Sequence, residues 1–365
     1  MKIPYVNLSL QWQQEKKELL PLIDQVLSKG QFVGGEEVEI FEHNISKLCG
    51  SNFGVSFNSG TDALMVGLHL LGVGPGDEVI TPPNSFIAST SAITHLGAIP
   101  IFVDVLRDQN IDPSKIEKAI TKKTKAIMPV HLTGRMCRMD EIMTIANKHS
   151  IPVIEDAAQA IGSHYKGHIS GSLSEVGCFS GHPLKNLNAF GDAGFLITNN
   201  KDLAESAKIM SNHGLKNRDE VKSFGFVSRL DTLQAAILNY HLKNLDKVIS
   251  KRRENALVYI ENLDSSNVYF NDLQEEYFDT YHTFVIQVDR RDELKEFLES
   301  KGIGSSIHYP IPIHLQPPLA KFHLKEGSFP ITETQAKKIL SLPINQYVTE
   351  NEIKYISEMV NTFFK

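Results

Sequence analysis

Short apolar runs alternate with amphipathic segments through the first half of the chain, and this alternation constrains the fold more than any other feature. The seven runs are Gly54–Phe57, Glu78–Thr81, Ile99–Val103, Ala126–Val130, Pro152–Glu155, Val176–Ser180 and Gly194–Thr198. Segments with helical periodicity, such as 61–71 and 139–149, lie between several of them. Strands that alternate with helices form mostly parallel sheets covered on both faces. The sequence therefore predicts an α/β fold with a mostly parallel seven-stranded sheet.

The pattern changes after Leu242, and a chain of 365 residues is long enough for two domains. Residues 243–262 have the pattern of a long charged helix, and a strand at 284–288 and helices at 293–301 and 353–364 follow. The Pro-rich stretch 309–318 predicts a loop. We therefore expect a large domain over 1–245 and a smaller α+β domain over 246–365.

Charge and composition exclude several classes of protein. The formal net charge is -6, so nothing here attracts nucleic acid. No stretch approaches the roughly 20 apolar residues of a membrane helix, and the N-terminus turns polar early. The three cysteines form no C-x-x-C pair, which fits a reducing compartment, and Cys178 is expected to be a small buried apolar residue. We expect a soluble cytoplasmic protein.

Polar residues follow several of the apolar runs, where parallel sheets carry their binding sites. Ser59-Gly60-Thr61 stands between the first run and a predicted helix. A glycine between hydroxyls at a helix N-terminus suits a phosphate, because free backbone N–H groups and the helix dipole both favour an anion. The same residues also suit a plain helix N-cap, and this segment alone favours the cap.

Asp156 stands directly after the fifth run. A carboxylate at the mouth of a parallel sheet requires a partner, and a protonated pyridine nitrogen would be one. The alternatives are a helix cap or a metal ligand. No second carboxylate or histidine is spaced to complete a metal site, so no metal is expected.

Lys185 lies in a loop bounded by glycine and proline inside an apolar sequence. Desolvation there would lower the pKa of the amine and make it a nucleophile toward a carbonyl. An exposed loop lysine is the commoner alternative. Ser180, just before this loop, could donate a hydrogen bond to a phosphate or to the backbone. Together these segments supply a phosphate seat, a carboxylate for a ring nitrogen and a lysine for a Schiff base.

With these motifs in order, the sequence resembles the DegT/DnrJ/EryC1/StrS family of sugar-nucleotide aminotransferases, which have the aspartate-aminotransferase fold (fold type I of the enzymes that use pyridoxal 5′-phosphate). The resemblance covers nearly the whole chain. The matching motifs are NSGTDAL (58–64), GPGDEVITPPNSF (74–86), IEDAAQAIGSHYKG (154–167), HPLKNLNAFGDAG (182–194), SRLDTLQAAIL (228–238) and IHYPIP (307–312).

The resemblance assigns a role to each cofactor-binding position. It implies that Lys185 holds pyridoxal 5′-phosphate as a Schiff base and then moves the proton during catalysis. Asp156 is expected to pair with the pyridine nitrogen and Gln159 to lie near the ring hydroxyl. The remaining cofactor contacts are the ring-stacking Phe86 and the phosphate-binding Gly60, Thr61 and Ser180.

The resemblance also places Arg229, His308 and Tyr309 near the sugar nucleotide or the amino donor. A surface ion pair for Arg229 and packing roles for the other two are the alternatives. Two positions depart from the family. Val227 replaces the asparagine that usually reaches the cofactor phosphate of the neighbouring subunit. Gly181 replaces a bulky apolar residue, which predicts extra space or flexibility beside the phosphate.

The implied reaction is amino transfer from L-glutamate to a nucleotide-linked keto sugar in a homodimer with active sites at the interface. The opening segment resembles the branch that acts on 3-keto sugars, which favours carbon 3 of a dTDP- or UDP-hexose. Such products feed lipopolysaccharide O-antigen, capsule or other surface glycans. The alternatives are a 4-keto-sugar aminotransferase, a sugar dehydratase that uses histidine in place of Lys185, and a regulator on the same fold.

Overall fold

The computed structural model describes residues 2–365, and the larger part of the fold precedes residue 243. Its helices are α1 (Leu8–Lys29), α2 (Glu36–Leu48), α3 (Gly60–Leu70), α4 (Ile87–His95), α5 (Pro113–Ala119), α6 (Met139–His149), α7 (Lys201–Ser211) and α8 (Thr232–Leu242). Its strands are β1 (Phe53–Phe57), β2 (Glu78–Thr81), β3 (Ile99–Phe102), β4 (Thr124–Ile127), β5 (Ile154–Asp156), β6 (His164–Tyr165), β7 (His168–Ile169), β8 (Val176–Ser180) and β9 (Gly194–Thr198).

The main sheet is assembled from two groups of hydrogen-bonded strands, ordered β1-β9-β8-β5 and β3-β2-β4. Parallel bridges between Ile127 and Val153 and between Val130 and Asp156 join the two groups. Seven strands therefore follow one another as β1-β9-β8-β5-β4-β2-β3, and β9 alone among them runs antiparallel to its neighbours. The predicted α/β class and the mostly parallel seven-stranded sheet are confirmed.

Successive side chains of β8 and β9 enter different cores. Cys178 and Leu196 pack with the apolar residues of α3 and α7, whereas Phe179 and Phe195 pack with those of α2 and α8. This alternation is what a strand buried on both faces requires. Cys178 is buried in the first cluster, which confirms its prediction as a small apolar residue.

The chain beyond residue 243 contains α9 (Leu245–Asn262), β10 (Tyr277–Phe278), β11 (Phe284–Gln287), α10 (Arg291–Ser300), α11 (Pro330–Lys338), β12 (Ile339–Leu342) and α12 (Glu350–Phe363). Strands β11 and β12 pair antiparallel, and β10 pairs with β6. The core here joins α9, α10, α12, β11 and β12 to Ile3 near the N-terminus, which bridges Ile303. The proposed boundary between residues 245 and 246 falls at the start of α9 and stays a prediction.

Short 3-10 turns at Ile313–Leu315 and Pro317–Phe322 occupy much of the Pro-rich stretch for which a loop was predicted. Among residues 2–365, no helix combines the length and the apolar character that crossing a membrane requires.

Candidate active site

Three strand ends bring the predicted cofactor residues to one edge of the main sheet. Strands β1, β8 and β5 point the same way, because β1 and β8 both run antiparallel to β9 and β5 runs parallel to β8. Gly60 follows β1, Asp156 ends β5 and Ser180 ends β8. The carboxyl edge of the sheet is where α/β folds bind their ligands.

Gly60 and Ser180 lie directly against each other at this edge. A Cβ at Gly60 would stand 2.8 Å from the Ser180 Cβ, so only glycine leaves room for a ligand to approach here. Ser59 Oγ accepts the N–H of Asp62 at 3.1 Å, which caps α3. The cap predicted as an alternative is therefore present, and it leaves the N–H groups of Gly60 and Thr61 at the open helix end, where a phosphate is stabilised.

Asp156 is buried, and its two carboxylate oxygens are fixed by separate donors. Ser89 Oγ donates to Oδ2 at 2.6 Å, and the Ala158 N–H donates to Oδ1 at 3.1 Å. Burial raises the pKa of Asp156, while the hydrogen bond from Ser89 and the charge of Lys185 act in the opposite direction. A buried carboxyl of this kind gains most from a cationic partner, which the pyridinium nitrogen would supply.

Lys185 lies half-buried in the loop between β8 and β9. Burial lowers the pKa of its amine to about 8, and the negative charge of Asp156 limits the fall. The Lys185 N–H donates to His182 O at 2.8 Å and closes a turn within the loop. Asn186 Nδ2 donates to Thr280 O at 2.9 Å and ties the loop to the segment before β11. The amine of Lys185 is therefore neutral often enough to attack an aldehyde at ordinary pH.

Phe86 and Tyr309, two further residues predicted for the site, meet at the start of α4. Phe86 precedes α4 with 54% of its surface exposed, and its ring centroid is 5.6 Å from that of Tyr309. Gln159 Oε1 accepts the Thr133 N–H at 2.8 Å. Burial and the charge of Asp156 raise the pKa of Tyr309 to about 12, so its hydroxyl stays protonated at neutral pH.

His308 and Arg229 have different surroundings. His308 Nδ1 lies 2.9 Å from Ser341 Oγ, and burial together with the nearby Lys185 lowers its pKa to about 4, which leaves it neutral. Arg229 donates from Nη1 to Asn212 Oδ1 at 3.0 Å. Within residues 2–365 no hydrogen bond or ion pair joins Arg229 to Lys185 or Asp156, although its neighbour Ser228 donates to Asn58 Oδ1 at 3.0 Å, two residues before Gly60.

The residue arrangement fits pyridoxal 5′-phosphate. Gly60 and Ser180 form a cradle at the N-terminus of α3 that suits a phosphate, and the buried carboxyl of Asp156 suits a ring nitrogen. The exposed Phe86 suits a ring face, and the amine of Lys185 suits an aldehyde. When bound, this cofactor supplies an electron-withdrawing ring that stabilises negative charge on the carbon next to a transferred amino group.

Two groups in this region were not predicted. Ser89 and Ser85 form a chain, with their Oγ atoms 2.9 Å apart, that ends on Asp156. Glu155 points to the other face of β5, where it accepts from His131 Nε2 at 2.8 Å and from the N–H groups of residues 171, 173 and 174. Alternation along β5 could have separated the two carboxylates, because neighbouring strand residues face opposite sides.

Gly181 corrects one expectation from the sequence. A Cβ at this position would meet the Ala193 Cβ at 2.9 Å and Leu238 Cδ2 at 3.4 Å. The volume of the missing side chain is therefore filled by residues 193 and 238, and Gly181 does not open extra space beside the phosphate cradle.

Together the fold and the site define a class, a fold type I enzyme that uses pyridoxal 5′-phosphate. Comparison with known proteins gives the family. The model of the DegT/DnrJ/EryC1/StrS aminotransferase family matches residues 13–361, and the chain belongs to this family. The protein is an aminotransferase whose cofactor is pyridoxal 5′-phosphate.

Its relatives are similar over nearly their full length. A Geobacillus stearothermophilus protein named a pleiotropic regulatory protein is 40% identical over 100% of this chain and 99% of its own. The dTDP-3-amino-3,4,6-trideoxy-alpha-D-glucose transaminase of Streptomyces venezuelae is 38% identical over 95% and 92%. The UDP-2-acetamido-2-deoxy-3-oxo-D-glucuronate aminotransferase of Pseudomonas aeruginosa is 37% identical over 97% and 98%.

A solved structure shows the same fold. The S. venezuelae enzyme DesV, crystallised in complex with a ketimine intermediate, superposes with a TM-score of 0.97 at 36% identity. The match covers 99% of this chain and 98% of DesV.

The pKa of Lys185 predicts how fast the cofactor-free enzyme takes up its cofactor. With a pKa of about 8, the neutral fraction of the amine is about 1% at pH 6 and about half at pH 8. The rate of appearance of the lysine-linked cofactor, followed by absorbance, should therefore rise about 50-fold over that interval and level off above pH 9. A rate that still rises about sevenfold between pH 9 and pH 10 would indicate an ordinary lysine, whose pKa is about 10.4.

Replacing Ser89 with alanine is expected to weaken cofactor binding about ten- to a hundredfold, because it removes a hydrogen bond to a charged, buried group. Ser89→Thr should bind nearly as tightly as the native enzyme, since the hydroxyl is kept. Ser91→Ala, a half-buried serine of the same helix, is the matched control. Fluorescence titration with pyridoxal 5′-phosphate measures all three, and equal affinity of Ser89→Ala and Ser91→Ala would contradict a role for the serine chain.

Proposed function

We propose that this enzyme transfers the amino group of L-glutamate to carbon 3 of a nucleotide-linked keto sugar. The observation that carries the proposal is the meeting of Lys185, Asp156 and the Gly60–Ser180 cradle at one sheet edge in a chain of this family. The Streptomyces and Pseudomonas relatives bear names of 3-amino and 3-oxo sugar chemistry, one on dTDP and one on UDP. Both nucleotides remain candidates.

In this reaction each predicted residue has a defined task. Lys185 holds the cofactor at rest and, when released, carries a proton between C4′ of the cofactor and the reacting substrate carbon. Asp156 stabilises the charge on the ring nitrogen, and Gln159 lies near the ring hydroxyl. Gly60, Thr61 and Ser180 hold the phosphate, while Phe86 covers one ring face. His308 and Tyr309 line the substrate side.

A homodimer completes the proposal. The segment from 221 to 227 exposes several large apolar side chains, with Val221 at 61%, Phe224 at 100% and Val227 at 56% exposure. Apolar surface of this kind is covered at an interface more often than left in water. Arg229 stands two residues after this segment, and we propose that it reaches the substrate of the neighbouring subunit rather than its own.

The cellular setting follows from the reaction. Free buried cysteines at positions 49, 137 and 178 are compatible with a reducing compartment, and we propose a cytoplasmic enzyme that supplies amino sugars for surface glycans. The proposed partners are the nucleotide sugar, L-glutamate and a second copy of the chain, with no nucleic acid and no membrane.

A keto-sugar screen tests the substrate. The purified enzyme is incubated with L-glutamate and with dTDP- or UDP-linked 3-keto and 4-keto hexoses, and 2-oxoglutarate is quantified. We expect turnover with a 3-keto substrate and bleaching of the cofactor band by glutamate alone. Turnover confined to 4-keto substrates would show that the amino group is added at carbon 4 and not at carbon 3. A cofactor band that glutamate does not bleach would favour a dehydratase or a regulator.

A further inference from the structure

Helix α9 buries an arginine that has no acidic partner among the described residues, 2–365. Arg252 is 6% exposed, and Nη1 donates to the carbonyl oxygens of Tyr281 at 3.1 Å and His282 at 3.2 Å. Its Nε is buried and has no hydrogen-bond partner in the part of the chain that the structure describes. The side chain is therefore held in place by Nη1, while the hydrogen-bonding capacity of its Nε is unused.

The charge of Arg252 is uncompensated. Burial lowers its pKa to about 10, so the guanidinium stays charged at neutral pH. Within residues 2–365, the groups that favour its charged form are the phenols of Tyr5 and Tyr347. Burial raises the pKa of both phenols, which are neutral at pH 7. A buried cation of this kind is costly unless an anion joins it.

Arg252 lines a cavity of about 50 Å³ beside the candidate active site. Leu184 and His308, the neighbours of Lys185 and Tyr309 in sequence, line the same cavity, as do His282 and Thr283. His282 Nδ1 and Thr283 Oγ1 are also buried without hydrogen-bond partners. The cavity is larger than the roughly 10–15 Å³ that one water requires, and it has room for a carboxylate group.

We propose that this cavity is a carboxylate subsite for the amino donor, with Arg252 as the counter-ion. The inference rests on the proposed function, because L-glutamate is the carboxylate that would enter. A guanidinium suits a carboxylate through its fork of donors, and His282 and Thr283 offer further polar contacts. A uronate carboxylate on the sugar has the same chemistry and is the alternative source.

Binding of glutarate tests the subsite without turnover. The cofactor-loaded enzyme is titrated with glutarate by calorimetry, and we expect the variant Arg252→Met to bind it at least tenfold more weakly. Arg253→Met is the matched control: the neighbouring arginine donates to Asp279 O and covers the Phe278 ring instead. Its glutarate affinity should equal that of the native enzyme. No glutarate binding to the native enzyme, or equal binding by both variants, overturns the proposal.

A second variant tests the subsite even if Arg252→Met fails to fold. Val6 lines the same cavity, and Val6→Met fills part of it while Arg252 remains. We expect weaker glutarate binding with an unchanged melting temperature. Unaltered glutarate binding in Val6→Met overturns the proposal whether or not Arg252→Met folds.

The half-reaction with glutamate distinguishes the two carboxylate sources. In Arg252→Met, the L-glutamate concentration that gives half-maximal bleaching should rise at least tenfold, with little change in the rate at saturation. A defect limited to keto-uronate substrates would overturn the assignment to the donor. Failure of the native enzyme to use any keto sugar would refute the proposed function. The glutarate titration would still test the carboxylate subsite, because it does not depend on a keto sugar.

Discussion

Replacing Lys185 with alanine is expected to lower turnover by about 10²- to 10⁴-fold or more. The absorbance band of the lysine-linked cofactor should also disappear. The side chain combines two tasks, because the same amine holds the cofactor and carries the proton between cofactor and substrate. Lys185 lies in the loop that follows β8 at the sheet edge, and burial lowers the pKa of its amine to about 8.

The measurement is single-turnover bleaching by L-glutamate followed by steady-state assay. Lys201→Ala is the control, since Lys201 is an exposed residue of α7 whose ion pair with Glu205 lies outside the site. Lys185→Arg keeps a positive charge but cannot link to the cofactor, so it should fail like the alanine variant. Near-native turnover in Lys185→Ala would refute the mechanism.

Replacing Asp156 with asparagine should lower turnover about 10²- to 10³-fold, because it removes a buried charge that stabilises the ring nitrogen. The amide has the size of the carboxylate and can still accept from Ser89, so the fold should persist. The loss of the Asp156 charge should also lower the pKa of Lys185 further, since that charge opposes the effect of burial.

Two readouts separate this electrostatic role from a structural one. The pH midpoint of cofactor uptake should move below that of the native enzyme, and cofactor affinity should fall less than turnover does. Asp202→Asn, at the exposed start of α7, is the control and should change neither. Native turnover in Asp156→Asn would mean that the carboxylate does not serve the ring nitrogen.

The sequence was most informative where local pattern decides structure. The seven strands were predictable because apolar runs bounded by turn residues have little alternative to burial in a sheet. Helix α1, with Pro21 in its interior and a polar, charged sequence, had no such signal and was not predicted. Its stability depends on packing against α8 and on contacts such as the pair of Gln11 and Asn188, which local sequence does not reveal.

The part of the candidate site that lies at strand ends was predictable from the sequence, and the part that depends on long-range contacts was not. Asp156 and Ser180 end strands and Gly60 follows one, so the geometry of parallel sheets could place all three at one edge. The contact between Ser89 and Asp156 spans 67 positions of the chain and required the fold itself. Arg252, within KRREN, has the sequence context of a solvated helix face, and only tertiary packing shows that it is buried without an acid.

Reduction with borohydride tests the central claim most directly. The holoenzyme is reduced, digested and mapped by mass spectrometry, and we predict one pyridoxyl group, on Lys185 in the segment HPLKNL. A label on any other lysine, or none after the enzyme has been loaded with pyridoxal 5′-phosphate, would contradict the account.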